Sequence, residues 1–279
     1  MRILILGASG LAGSAIRREL KGKYETVLGT WRTKAHAPDG DPGMIRWSLE
    51  EPGRLAELLR ATEPDVVVSC LRGDFGMQEE AHRIAADFLA GKPGGRMLFL
   101  SSANAFDADQ TRPHFEGDRP VAQSDYGKMK VRCEELIRSR LGENGIILRP
   151  PFIWDRDCPG IRRLKESAGS KAPVQAWKNF ETNHATAGQI AKWVSFILER
   201  NLRGVFHVGT EDLSDHAAFL EELARRLNLK GVVFSTEEED TKQILAVLPG
   251  RREIPPKLRL RVEDVLRGLT GEEMCDMYR

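Results

Sequence analysis

The sequence predicts an α/β fold, a doubly wound parallel sheet with a smaller C-terminal lobe. Three observations carry this. Ile3, Leu4, Ile5 and Leu6 form an unbroken apolar run closed by glycine. Gly7, Gly10 and Gly13 follow at three-residue intervals, and Ala15, Ile16 and Leu20 then recur at helical spacing among charged residues. Further apolar runs at 66–68, 97–100 and 146–148 alternate with amphipathic stretches. A strand apolar at every position is buried on both faces, as parallel sheets require. Strands alternating with helices give the doubly wound arrangement. Residues 1–150 are expected to form a dinucleotide-binding domain. Residues 151–279 are expected to form mainly a substrate lobe, with segments around 185–230 returning to the first domain.

Taken in order, the first unit reads as strand, glycine turn and helix, the Rossmann fingerprint. Its glycines permit a sharp turn and close approach of backbone N–H groups to a pyrophosphate, and the helix N-terminus adds partial positive charge. Gly7, Ser9, Gly10, Leu11 and Gly13 are therefore candidate cofactor contacts. The second strand, 24–29, ends in Thr30-Trp31-Arg32-Thr33. An acid there would bind the 2′-OH of NAD, whereas Arg32 suits the 2′-phosphate of NADP, so NADP is the expected cofactor over NAD. Residues 34–43, rich in Pro, Gly and Asp, read as a loop and 44–49 as a third strand. A helix at 55–60 presents Leu55, Leu58 and Leu59 on one face. The strand at 66–68 ends in Ser69-Cys70-Leu71-Arg72-Gly73, which is expected to run along the cofactor, with Leu71 in contact. An amphipathic helix spans 77–90.

The strand at 97–100 opens into Ser101-Ser102-Ala103-Asn104, where ligands of open α/β sheets bind. Tyr126 and Lys130 then stand at i and i+4 on one helical face. A tyrosine with an ordinary pKa near 10 transfers protons poorly at neutral pH, and a neighbouring ammonium is expected to lower that value. Tyr126 is then placed to protonate a carbonyl oxygen as hydride arrives from a nicotinamide. Ser102 is placed to hold the same oxygen, and Lys130 to reach the nicotinamide ribose.

With GASGLAG, SSANAFD, YGKMK and ILRPPFIW in place, the chain resembles an extended short-chain dehydrogenase/reductase. It is most similar to the branch of dTDP-4-dehydrorhamnose reductases and related sugar-nucleotide-binding proteins. The resemblance implies Ser102, Tyr126 and Lys130 as catalytic residues. It matches Phe106, Asp107, Glu116 and Pro120 to the family's intervening loop, and Leu148-Arg149 to a strand lining the site. It implies Pro151 and Phe152 beside the nicotinamide, and Ser102, Asn104, Phe152 and Trp154 toward a substrate that is a small molecule, a sugar nucleotide. Arginines among the basic residues 155–182, which read as irregular, would grip its diphosphate.

The sequence departs from that pattern at several positions. Ala103-Asn104 replace Asp-Tyr, Trp47-Ser48 replace an acidic residue, and Leu71-Arg72 replace two small residues. Helix 77–90 has no asparagine, and Ala85-Ala86-Asp87 occupy that neighbourhood. Two alternatives stand beside the reductase. One is an NAD-dependent epimerase, against which Arg32 argues; the other is a catalytically idle NADP-binding sensor or regulatory subunit. A dehydratase would need an Asp-Glu pair where Ala103-Asn104 stand.

In the second half, Thr186 is a cap for a helix at 189–200, 205–208 a strand, and Ser214 or Asp215 a cap for a helix at 217–227. His184, His207 and His216 share no metal-ligand spacing and read as structural or exposed. Residues 237–243 read as an acidic surface segment, 249–260 as a closure of the substrate lobe, and 262–269 as a last helix. The net charge of +1, with mixed signs, gives no signal for nucleic acid or for a polybasic membrane contact. No apolar run approaches the roughly 18 residues of a membrane span. With the first strand expected from residue 2, no signal or transit peptide is expected. Cys70, Cys133, Cys158 and Cys275 lack metal or disulfide spacing and suit the reduced thiols of a cytoplasmic protein. Many relatives dimerise, so a homodimer is an expected assembly, although no stripe marks an interface.

Overall fold

The apolar runs fold as interior strands of one parallel sheet. A computed structural model describes residues 1–32 and 41–271 of the chain. The first half runs β1 (Arg2–Leu6), α1 (Leu11–Leu20), β2 (Thr26–Trp31), β3 (Met44–Arg46), α2 (Pro52–Thr62), β4 (Val66–Ser69), α3 (Phe75–Ala90), β5 (Arg96–Leu100), α4 (Asp125–Leu141) and β6 (Gly145–Arg149). The second half runs β7 (Phe152–Trp154), α5 (Pro159–Ser170), β8 (Val174–Thr182), β9 (His184–Thr186), α6 (Ala187–Glu199), β10 (Val205–His207), β11 (Ser214–Asp215), α7 (His216–Arg226), β12 (Phe234–Ile244) and α8 (Val262–Thr270). The central sheet has seven strands in the order β10-β6-β5-β4-β1-β2-β3. All its pairings are parallel, with Ile3 opposite Val27 on one side and Val66 on the other.

The strands show why their sequences are apolar throughout. Ile3, Ile5, Val66, Val68 and Leu98 pack toward α1 and α6, against Ile16, Ile190 and Trp193. Leu4, Leu6, Val67, Met97 and Phe99 point the other way, toward Leu55, Ala85, Met129 and Ile137 of α2, α3 and α4. Each such side chain, fully buried, contributes about 1.5–3 kcal/mol. Leu55 and Leu59 of α2 are fully buried, while Leu58 is only half-buried at the layer's edge.

The chain leaves the sheet after β6 and returns to it through β9, α6 and the edge strand β10. Thr186 caps α6, its Oγ1 accepting from Gln189 N at 3.0 Å. Asp215 caps α7 by accepting from Ala218 N, while Ser214 bonds His184 instead. The lobe consists of α5, α7, α8 and a small sheet ordered β11-β8-β12, around Trp154, Ile161, Phe219, Leu223 and Val265.

Three expectations are corrected here. Residues 155–182 are not irregular: they hold α5 and β8. Their apolar signal is sparse because only Ile161, Leu164 and Ser167 of α5 face inward, while Arg162, Arg163 and Lys165 face out. Residues 237–243 fall within strand β12, with Glu237, Glu238 and Thr241 exposed, and β12 pairs in parallel with β8 across a bulge between Glu238 and Gln243. Residues 249–260 pack mostly on the first domain, and only Leu260 at their end packs against the lobe's core. Ile254 joins the α1–α6 core, Arg251 donates to Val205 O, and Trp193 donates to Leu258 O. The loop expected at 34–43 falls largely outside the described residues, as does Cys275. Cys70, Cys133 and Cys158 are free thiols. No helix among the described residues is long and apolar enough to cross a membrane. The outward faces of α3 and α4 carry ion pairs such as Arg132–Glu79 and Arg140–Asp87.

Candidate active site

The strand order reverses between β1 and β4, the point where an open sheet binds its ligand beyond the carboxyl ends. Gly7 sits there at φ +77°, and a Cβ on it would come within 2.9 Å of the Cys70 carbonyl oxygen. A Cβ on Gly13 would overlap the Gly7 carbonyl, so only glycine lets α1 close onto the turn. Gly7 N donates to Thr30 Oγ1 at 2.9 Å, tying the turn to the end of β2. The first turn of α1 contains no acid, so its N-terminal partial charge is uncompensated.

Two chambers flank this turn. One, of about 410 Å³, is lined by Gly7, Ser9, Thr30, Arg32, Trp47 and Ser48. The other, of about 650 Å³, is lined by Leu11, Gly13, Leu71, Ser102, Tyr126 and Lys130 among others. These surfaces fit a dinucleotide: the turn that Gly7 and Gly13 keep tight lies between the two chambers, with Gly10 lining both. In addition, the buried Gln78 Oε1 has no partner and its residue lines the larger chamber.

Ser102 lies two residues beyond the end of β5, its Oγ donating to Asn104 Oδ1 at 3.0 Å. Tyr126 stands in the first turn of α4, 38% exposed, on the same chamber. Lys130, one turn later, is 3% exposed. Its Nζ donates to Leu100 O at 3.0 Å and lies 4.7 Å from the Phe99 ring centroid and 5.6 Å from that of Tyr126. Burial lowers the Lys130 pKa to about 8, against the opposing pull of Cys133, Cys70 and Glu134.

The expected depression of the Tyr126 pKa by Lys130 is not what the structure shows. Desolvation raises the phenol above its ordinary value; hydrogen bonding with Ser102 and the charge of Arg72 oppose this. The Lys130 ammonium is held by the Leu100 carbonyl instead. Tyr126 is therefore kept as a protonated phenol.

Buried polar groups fix this arrangement from behind. Asp107 accepts from Gln123 N at 2.6 Å, from Ser124 N and from the Ser124 hydroxyl. Ser124 in turn caps α4 by accepting from Gly127 N at 3.0 Å. Asp107 thus sets the start of the helix that carries Tyr126 and Lys130. Beneath Ser102, the Ser101 hydroxyl donates to Glu134, which pairs with Arg149 at 2.6 Å. Arg149 also lies 5.0 Å over the Phe106 ring and contacts His207. Glu116 accepts from His207 N and Gly250 N, so this matched loop residue is a structural clasp.

A third cavity, of about 530 Å³, is lined by Ser102, Asn104, Pro151, Phe152, Trp177 and Phe180 among others. Phe152 and Pro151 border both this cavity and the larger chamber. Trp154 is not displayed as expected. It borders the chamber but is 5% exposed, donates to His184 Nδ1 at 3.0 Å and packs on Phe219 in the lobe's core.

Arg163 lines the large chamber. Arg156, Arg162 and Lys171 are instead spent on the backbone carbonyls of Gly268, Asp157 and Gly231. His184, His207 and His216 are all buried, and burial lowers their pKa to about 3, 3 and 4. Among the described residues no cluster of His, Cys, Asp or Glu is arranged to hold a metal.

Sequence reasoning missed Trp177 and Phe180, whose strand reads as polar, and Glu134; it matched Asp107 and Arg149 to the family pattern without their part in the scaffold. The signals available for the scaffold were an acid directly after a buried Phe and an arginine ending a fully apolar strand.

Comparison with known proteins follows this geometry. The family model described as RmlD substrate binding domain matches residues 1–247. The probable low-salt glycan biosynthesis reductase Agl14 of Haloferax volcanii is 24% identical over 242 residues, covering 80% of this chain and 79% of that protein. Methionine adenosyltransferase 2 subunit beta of Danio rerio is 24% identical over 233 residues, covering 76% and 69%. The crystal structure of dTDP-4-dehydrorhamnose reductase from Bacillus anthracis in complex with NADP shares the fold, with a TM-score of 0.75 at 13% identity over 98% of each chain.

Proposed function

From membership in the RmlD substrate binding domain family, to which this chain belongs, we propose that it is an NADP-dependent oxidoreductase that reduces a carbonyl, or oxidises the corresponding hydroxyl, of a sugar nucleotide. The observation that carries this reading is the convergence of Ser102, Tyr126 and Lys130 on one chamber that is continuous with the glycine turn. Tyr126 gives its phenolic proton to the carbonyl oxygen. Ser102 holds the same oxygen through its hydroxyl. Lys130 stabilises the phenolate left behind. A bound nicotinamide cofactor supplies the hydride. Phe152, Trp177 and Phe180 offer flat apolar surface to the substrate's rings, and Arg163 offers charge to its diphosphate.

Arg32 is the specificity residue for the 2′-phosphate. It borders the smaller chamber beside Thr30 and Ser48. Titration with NADPH and NADH, followed by nicotinamide fluorescence, tests the reading. NADPH is expected to bind more tightly. Arg32→Ala is expected to weaken NADPH about tenfold or more, the scale of one charged hydrogen bond, and to leave NADH within about twofold. Equal losses would remove Arg32 from cofactor choice. NAD retained through purification would instead favour the epimerase.

The pH dependence follows from Lys130. Its ammonium is lost as pH rises through about 8, so kcat/KM is expected to decline on the alkaline side from about that pH. Lys130→Arg, which keeps its charge, should move the decline to higher pH; a limb that stays in place would assign it to another group. A second reading, a cofactor-binding subunit without turnover, is favoured by the similarity to an adenosyltransferase beta subunit. Tight NADPH binding with no turnover of keto-sugar nucleotides would support it.

A further inference from the structure

Gly10, Cys70, Leu71 and Arg72 line both of the chambers beside the glycine turn, and so ring the throat that joins them. A dinucleotide with its adenosine in one chamber and its nicotinamide in the other passes its diphosphate through this throat. Gly10 presents the α1 N-terminus from one side. The β4–α3 connection presents Arg72 from the other. We propose that Arg72 is a diphosphate clamp, closing its guanidinium on the cofactor's bridging phosphates opposite the N-terminus of α1. This rests on the cofactor reading above.

Three observations converge on Arg72. It is exposed and forms no hydrogen bond or ion pair among the described residues, so its five donors are available. It nevertheless lines the same chamber as Tyr126 and Lys130 of α4, which puts it on the cleft side of the connection. The connection itself is held in place. Gln78 Nε2 donates to Gly73 O at 2.8 Å, and Asp74 caps α3 by accepting from Met77 N at 2.9 Å. Gln78 is 2% exposed, so the side chain that anchors the connection is itself fixed in the core.

The charge balance of the throat points the same way. Leu71 is apolar, Gly10 has no side chain, and burial pushes the Cys70 thiol up to about 12, so it is neutral. Among the described residues, Arg72 is the only charged side chain shared by the two chambers. The helix terminus supplies roughly half a positive charge against the two negative charges of a diphosphate. A guanidinium, which binds phosphate oxygens bidentately, supplies most of the remainder.

The test compares full-length protein with the Arg72→Met and Arg72→Lys variants, titrated with NADPH, ADP-ribose and adenosine 2′,5′-bisphosphate. The last carries adenine, ribose and a 2′-phosphate but no diphosphate bridge. Arg72→Met is expected to weaken NADPH and ADP-ribose by about ten- to a hundredfold, with a shallower salt dependence, and to leave the bisphosphate within about twofold. Arg72→Lys should recover part of the loss. Unchanged thermal unfolding is expected of both variants, since the side chain has no partner to lose.

Equal weakening of the bisphosphate would show that Arg72 reads the adenosine end, and would overturn the clamp. Unchanged NADPH and ADP-ribose affinity would overturn it too, leaving the function standing. Failure of the unaltered protein to bind any of the three would overturn the clamp and the cofactor reading together.

Discussion

Tyr126→Phe is expected to lower kcat by about 10²–10⁴-fold, the contribution of a positioned general acid, while NADPH affinity stays within about twofold. The substitution removes one hydroxyl from a ring that is 38% exposed, so little packing changes. The helix start that aims the ring is set by Ser124 and Asp107, neither of which is touched. Desolvation holds the phenol protonated, the form needed to donate a proton during reduction. Single-turnover measurements with bound NADPH would separate chemistry from binding. Full activity in the variant would exclude Tyr126 as the acid. If no sugar nucleotide is turned over by either form while both bind NADPH, the regulatory-subunit reading prevails.

Breaking the Glu134–Arg149 pair is expected to destabilise the fold by about 3–5 kcal/mol, because the surviving partner is left charged and buried. The side chains are 5% and 3% exposed, respectively, and the 2.6 Å contact is supplemented by Ser101 on the carboxylate and by the Phe106 ring under the guanidinium. Arg149→Met and Glu134→Gln should each show this loss in urea unfolding. The double variant should lose less than the sum of the two, since neither charge is then orphaned. Single losses under about 1 kcal/mol would mean that water reaches the pair. Turnover should fall along with stability, because Ser101, held by Glu134, immediately precedes Ser102.

The sequence by itself determined the layered sheet, because strands buried on both faces must be apolar at every position and β1, β4, β5 and β6 are. It also determined the glycine turn, since φ at Gly7 and the contact at Gly13 exclude any side chain. The i, i+4 relation of Tyr126 and Lys130 is local helix geometry and was equally legible.

What only the tertiary structure decided depends on contacts between segments distant in sequence. Lys130 is turned to the Leu100 carbonyl, so its influence on Tyr126 is not what adjacency on a helix suggests. Trp154 is drawn into the lobe by His184 and Phe219, whereas Trp177 and Phe180, on a strand of mixed polarity, form a wall beside Ser102. The throat with Arg72 exists only because β1 and β4 are neighbours in the sheet although sixty residues apart in sequence. Periodicity reports which face of an element is buried; it carries no record of which other element covers that face, and the placement of charge in a cleft follows from that.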